Sequence, residues 1–304
     1  MRRSDIALHS PGSGGRWLVL VAAVCWGTTG TAQALAPSGA DPATLGAARL
    51  LLGGMTLLGY AAWRGAFRQA GDWPWKPALI AAICMAAYQL CFFAGVARTG
   101  VAVGTLVAIG SAPILGGVIA WLWRGERPER RWGWATLLAV AGSGLLVTAG
   151  AGIRLEWIGI LLALGAGLAY AAFTVASKGL LENKPPEAAM AVVFCLGALF
   201  LSPFLFTSEL AWLAQPRGAL VVLHLGIVTV ALAYSLFAQG LKRIPVATAV
   251  TLTLAEPLTA GALGIFVLGE RLTLPAAVGS ALVFCGLALL ALGGAAVRSG
   301  ESPA

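Results

Sequence analysis

Of 304 residues, 59% are hydrophobic and 11% charged, and the mean hydropathy is +0.87. A soluble domain could not keep so much apolar side chain from water, so the composition excludes one. The net charge of +8 is spread over many short loops and forms no stripe, which argues against a nucleic-acid partner.

A bilayer core about 30 Å thick needs about 20 apolar residues per crossing helix. Ten such runs appear, at 17 to 36, 43 to 63, 77 to 97, 101 to 123, 132 to 150, 157 to 178, 187 to 206, 219 to 239, 246 to 268 and 274 to 293. They are long and continuous instead of alternating in polarity, which excludes a β-barrel. The expected fold is an all-α polytopic membrane protein of ten transmembrane helices with no soluble domain, embedded in lipid and working as a monomer.

The first run follows Arg2, Arg3 and Arg16 and ends in Ala34-Leu35-Ala36, a pattern close to a signal-peptide cleavage site. Pro37 would follow the cut directly, and Trp26, Thr28, Thr29, Thr31 and Gln33 interrupt the run. It therefore reads as a retained first helix. Residues 1–16, rich in Ser, Gly and Arg, read as a disordered tail. Residues 294–304 form a second tail.

Cys25, Cys84, Cys91, Cys195 and Cys285 all lie in apolar runs without CxxC spacing, so neither a disulfide frame nor a metal site is expected. The pairs Gly53 and Gly54, Gly116 and Gly117, and Gly142 and Gly144 suit close helix packing. Pro113 and Pro257 fall near the centres of their runs. A helical proline has no N–H to give, so each should kink its helix and free a carbonyl four residues back, at Ile109 and Thr253.

Lys and Arg give the orientation. Fifteen of the 20 lie on one side, including Arg124, Arg127, Arg130, Arg131, Lys178, Lys184, Lys242 and Arg243. Four lie on the other (Arg98, Arg154, Arg217 and Arg271), and Arg49 is within a run. The positive-inside rule then puts both termini in the cytoplasm.

An internal repeat appears at an offset of 144 residues: Phe93 with Phe237, Pro113 with Pro257, Gly117 with Gly261, Gly142 with Gly286, and Gly125-Glu126-Arg127 with Gly269-Glu270-Arg271. Five helices per repeat is an odd number, so the second repeat (157–293) must be inverted relative to the first (17–150). Inverted repeats with interrupted helices mark alternating-access transporters, whose site lies near the midplane between the halves.

Cys25-Trp26-Gly27-Thr28-Thr29, Arg49 early in the second helix, Glu256-Pro257 in the ninth, and Gly-Glu-Arg after the fourth and ninth resemble the EamA-type members of the drug/metabolite transporter superfamily. The resemblance covers about residues 17–293 and is specific for the family. Within it, the chain is similar to aromatic amino-acid exporters of the YddG kind. That likeness implies export of Phe, Tyr, Trp and related compounds across a bacterial inner membrane.

The polar and aromatic residues at membrane depth are the candidate substrate groups: Trp26, Gln33, Tyr88, Gln89, Ser111, Tyr170, Tyr234, Thr253 and Glu256, with Pro113 and Pro257 as kink or gating positions. A carboxylate or amide in hydrocarbon needs a partner and so faces the bundle interior. Trp26 and Tyr170 are 144 residues apart, so each half can offer an aromatic to the centre. Arg49, about six residues from its helix end, reads as snorkelling or structurally paired. Lys178 and the loop cations read as anchors. The competing class is an intramembrane serine hydrolase using Ser143 and His224. With no HExxH, P-loop or dinucleotide fingerprint, no metal, cofactor or ATP is expected.

Overall fold

A computed structural model describes residues 13–68, 72–99, 101–148, 156–207, 210–267, 269 and 273–292. Among them there is no strand. The α-helices are α1 (Ser13–Gly27), α2 (Thr29–Ala34), α3 (Pro42–Trp63), α4 (Trp75–Thr99), α5 (Val101–Arg124), α6 (Arg130–Thr148) and α7 (Trp157–Asn183). They continue with α8 (Pro186–Leu201), α9 (Pro203–Thr207), α10 (Pro216–His224), α11 (Ala233–Leu241), α12 (Val246–Leu252), α13 (Ala255–Phe266) and α14 (Leu274–Ala291). A π-helical segment, Leu225–Leu232, joins α10 to α11.

Among the described residues, eight helical stretches are long and apolar enough to cross a membrane, and α8 is a shorter apolar helix. The outer surface carries Trp63, Trp157, Phe206 and Phe266, each well exposed. Such a surface is stable against lipid and unstable against water. The protein is an all-helical, multi-pass membrane protein.

Local chemistry sets the helix ends. Asp41 accepts the Thr44 N–H at 3.0 Å and caps α3, which begins at Pro42, where a missing N–H leaves no bond unmade. Gly125 ends α5 with φ +67°. Its N–H reaches Trp121 O, the αL closure that needs a left-handed residue, and the Glu126 N–H reaches back to Ala120 O. Gly269, its counterpart 144 residues on, has φ +73°. The rest of the second tripeptide, Glu270 and Arg271, lies outside the described residues, as do residues 1–12 and 294–304 of the two tails.

The offset extends to helix boundaries: α1 and α7 begin at 13 and 157, α3 and α8 at 42 and 186, α6 and α14 at 130 and 274. Contacts obey it too. A Cβ on Gly142 would meet the Gly279 carbonyl oxygen at 2.5 Å, and one on Gly286 would meet that of Ala135 at 2.6 Å. Adding 144 to 142 and subtracting it from 279 turns the first contact into the second. Residues 135–139 of α6 thus face 286 of α14 while 142 faces 279–283, so these two equivalent helices run antiparallel. In α3 and α8, Gly54 lies against the backbone of Phe194 and Cys195, and Gly197 lies near Leu50. That pair is antiparallel as well.

The structure departs from the sequence expectations at five places. Residues 13–16 are the start of α1 and not disordered tail, because Trp17 begins an apolar turn that Ser13–Arg16 extend. The first run breaks at Thr28, whose hydroxyl bonds the Cys25 carbonyl at 2.7 Å. The seventh run ends its main helix at Leu201, since Pro203 cannot continue the ladder and starts α9. The ninth run divides into α12 and α13, and the Thr253 carbonyl is not free. With no N–H on Pro257, the Glu256 N–H bonds Thr253 O instead, at 2.9 Å in a tighter turn. By contrast α5 continues through Pro113 without interruption; one missing ladder bond does not by itself break a helix packed on its neighbours.

Gly142→Ala should lower stability by about 1–3 kcal/mol, since its methyl group has no room at the α6–α14 contact. Gly59→Ala on α3, where nothing lies within 4 Å of the new Cβ, should be neutral or slightly stabilising. Thermal unfolding of the purified variants in detergent checks the contrast; equal effects would count against close α6–α14 packing.

Candidate functional site

A cavity of about 690 Å³ opens between the two halves of the bundle. Trp26, Gly27, Thr29 and Gln33 of α1 and α2 line it, with Arg49 of α3 and Tyr88, Gln89, Phe92 and Phe93 of α4. Ile109 of α5, Tyr170 of α7 and Phe194 of α8 complete one wall. Thr229 and Tyr234 in and after the π segment, with Thr253, Glu256 and Pro257 at the α12–α13 break, complete the other.

The wall is an aromatic network. Trp26 and Tyr234 have ring centroids 4.7 Å apart, Tyr234 and Phe194 4.4 Å, and Tyr88 and Tyr170 5.5 Å. Tilted pairs at such distances add about 0.5–1.5 kcal/mol each beyond area burial, so the rings fix one another. Trp26 Nε1 donates to the Thr229 carbonyl at 2.8 Å, deep in the protein. This bond ties α1 to the π segment, whose shifted register turns carbonyls off the normal α ladder.

Irregular backbone gathers here. Gly27, one residue before the α1–α2 break, lies against the Glu256 carbonyl and Thr259 of α13. Two broken helices therefore meet at the cavity, where a side chain on Gly27 would separate them. Glu256 sits in the first turn of α13, where a negative charge is favoured by the helix dipole. Arg49 Nη2 donates to Gln89 Oε1 at 3.0 Å.

At one end of the bundle, polar side chains close the space between α5, α7 and α12. Glu126 Oε2 accepts the Val246 N–H at 2.8 Å, and its Oε1 takes Arg124 Nε at 3.0 Å. Arg124 also pairs with Glu182, and Lys178 donates to the Ile244 carbonyl. Just inside this layer Trp132 Nε1 donates to Ala247 O at 3.0 Å and to Thr251 Oγ1 at 2.9 Å. The cavity reaches the other end, along Gln33, Val96, Ala97, Thr105 and Leu146, all close to helix ends away from that layer.

Eight of the nine candidate substrate residues border this one cavity: Trp26, Gln33, Tyr88, Gln89, Tyr170, Tyr234, Thr253 and Glu256. Ser111 does not. It packs against Gly167, and its hydroxyl bonds the Ala108 carbonyl of its own helix at 3.2 Å, so its polarity is satisfied locally. Pro257 borders the cavity and Pro113 does not. Arg49 does not snorkel to a helix end; it turns inward to Gln89. Lys178 is a helix-joining donor and not a simple anchor. The serine–histidine dyad is absent: His224 Nε2 is bonded to Thr28 Oγ1 at 2.8 Å, while Ser143 is buried in α6, which packs on α14. Among the lining residues not expected from the sequence, Phe92 and Thr229 carry no pattern that separates them from core, and Phe93 is marked only by its repeat partner Phe237. Arg49 did carry one, a full charge inside an apolar run.

The family model described as the EamA-like transporter family matches residues 13–148 and 157–292, two stretches that begin and end 144 residues apart. An uncharacterized transporter of Bacillus subtilis, YwfM, is 46% identical over 272 residues, covering 90% of this chain and 92% of the relative. An uncharacterized inner membrane transporter of Salmonella typhimurium, YicL, is 27% identical over 285 residues, covering 90% and 94%. A solved crystal structure superimposes with a TM-score of 0.81 at 23% identity, over 92% of this chain and 97% of that one; it bears on the fold alone.

Trp26→Phe should keep most of the ring packing and delete the N–H given to Thr229. The buried carbonyl loses its indole donor, so the variant should be less stable by about 1–3 kcal/mol. Thermal or denaturant unfolding in detergent checks this; an unchanged stability would mean that the bond does not hold α1 to the π segment.

Proposed function

Because the chain belongs to the EamA-like transporter family, we propose that it is a secondary transporter that exports aromatic or other bulky amino acids from a bacterial cell by alternating access. The observation that carries this reading is the aromatic-walled cavity of about 690 Å³ with Arg49 and Glu256 on its walls. Its volume falls within the ~300–1,000 Å³ of small-molecule sites. The family resemblance favours Phe, Tyr and Trp, and the rings of Trp26, Tyr88, Tyr170 and Tyr234 suit a flat apolar side chain.

Ten crossings in two inverted five-helix repeats are supported by the antiparallel contacts of α6 with α14 and of α3 with α8. With both termini cytoplasmic, as the cation partition favours, the Glu126–Arg124–Lys178 layer is the closed inner gate and the cavity faces outward. The relative named an inner membrane transporter supports the same membrane for this protein, and it acts as a monomer.

Substrate binding assigns Glu256 to the ammonium group and the aromatic rings to the side chain. Thr253 and Gln33 offer further polar contacts, and Pro257 holds the break that presents Glu256. Closing the outer end would bring the halves together around the substrate while the inner layer opens.

Proteoliposome uptake of labelled amino acids, nucleobases and cationic drugs, with and without a pH gradient, tests the reading. Phenylalanine uptake well above that of empty liposomes is expected; uptake of drugs or nucleobases alone would overturn it. Tyr170→Ala should weaken phenylalanine transport more than threonine transport, and an equal loss would remove the case for ring recognition. Glu256→Gln keeps size and hydrogen bonding but not charge. It should lose phenylalanine transport as fully as Glu256→Ala, whereas a purely structural role would leave Gln active.

A further inference from the structure

Arg49 and Glu256 stand on the walls of one cavity, yet no ion pair joins them. Opposite charges at membrane depth gain most by direct contact, because the surroundings screen them poorly. Here each is left facing the space between. Arg49 makes one side-chain hydrogen bond, to Gln89, and its Nε is buried without a partner. None of the described hydrogen bonds or ion pairs engages the Glu256 carboxylate.

Gln89 explains why Arg49 stays on its own wall. It is 2% exposed, and a guanidinium has only donors, so the amide must present Oε1 to Arg49. A neutral acceptor orients the guanidinium without neutralising it. A carboxylate of this chain in that place would have cancelled the charge. Tyr88, Tyr170 and Tyr234 line the same cavity as these groups.

We infer that Arg49, held by Gln89, takes the carboxylate of the transported amino acid while Glu256 takes its ammonium group, so that the cavity selects the zwitterion and not merely an aromatic ring. This rests on the amino-acid reading above and extends it to a second charged contact. A zwitterion completes both half-pairs at once and adds no net charge to the membrane interior. An analogue lacking either group leaves one protein charge unmatched, which discriminates strongly in a desolvated site. Gln89 is a positioning residue; Arg49 and Glu256 are the binding groups.

The test is competition against labelled phenylalanine in proteoliposomes of the full chain, with phenethylamine (no carboxylate) and 3-phenylpropionate (no ammonium). Each analogue should compete about 10- to 100-fold more weakly than phenylalanine in the unmodified protein, the range of one charged hydrogen-bonding contact. Arg49→Gln should remove the preference for phenylalanine over phenethylamine but leave that over phenylpropionate. Arg49→Lys should restore part of it. Gln89→Leu should raise KM for phenylalanine with little change in kcat and narrow the phenethylamine ratio, whereas a purely structural defect would lower uptake of every substrate alike. The analogue series on unmodified protein needs no variant to fold. Phenylalanine transport with both analogues competing as strongly as phenylalanine itself would overturn the inference and leave the transport reading standing. Transport of zwitterionic leucine without preference for aromatics, still abolished by Arg49→Gln, would overturn the aromatic reading and uphold this one. If no amino acid is transported or raises the unfolding temperature, both fall.

Discussion

Inside hydrocarbon no water is available to an unmade backbone hydrogen bond, and this constraint orders the rest of the molecule. It makes every described span helical and leaves irregular backbone only where protein or a cavity can satisfy it. Three interruptions among the described residues lie beside the cavity: the α1–α2 break at Thr28, the π segment Leu225–Leu232 and the α12–α13 break at Thr253 and Leu254. Thr29, Thr229 and Thr253 from these places all border the cavity. Each is closed by a local substitute: Thr28 Oγ1 to Cys25 O, Trp26 Nε1 to Thr229 O, and Glu256 N to Thr253 O.

Those interruptions also break the internal symmetry. The residues equivalent to Thr28, to the π segment and to Thr253 at the offset of 144 are 172, 81–88 and 109, and all three lie in continuous α-helix. Contacts such as Gly142 with Gly279 keep the symmetry, while the cavity wall does not. The two stretches matched by the family model thus pack through equivalent glycine contacts and differ where they surround the space between them. In the proposed mechanism that difference is the access state: one end sealed by Glu126, Arg124, Lys178 and Trp132, the other open along Gln33, Val96 and Thr105.

Much of this was legible in the sequence, and for physical reasons. Length and apolarity place the helical runs because a bilayer permits few alternatives. The 144-residue repeat was visible through Pro113, Pro257 and the Gly-Glu-Arg tripeptides, whose glycines hold left-handed backbone. Polar residues at membrane depth led to the cavity because they are too costly to face lipid. The same logic failed at Ser111, since a hydroxyl can bond its own helix. It undervalued Arg49, whose inward turn depends on an acceptor forty residues away in Gln89. The π segment and the break at Thr28 follow from packing between distant helices, and a local pattern cannot report them.

The central claim is that the cavity between the halves is where substrate sits and that it is reached from one face at a time. A single cysteine in place of Ala260, which lines the cavity, on a background without the five native cysteines, tests it most directly. In oriented membrane vesicles a membrane-impermeant thiol reagent should label it from the outer face, and phenylalanine should slow the labelling while a cysteine at Leu35 stays unaffected. Labelling of Ala260→Cys at the same rate with and without any transported solute, or only from the cytoplasmic face, would contradict the account.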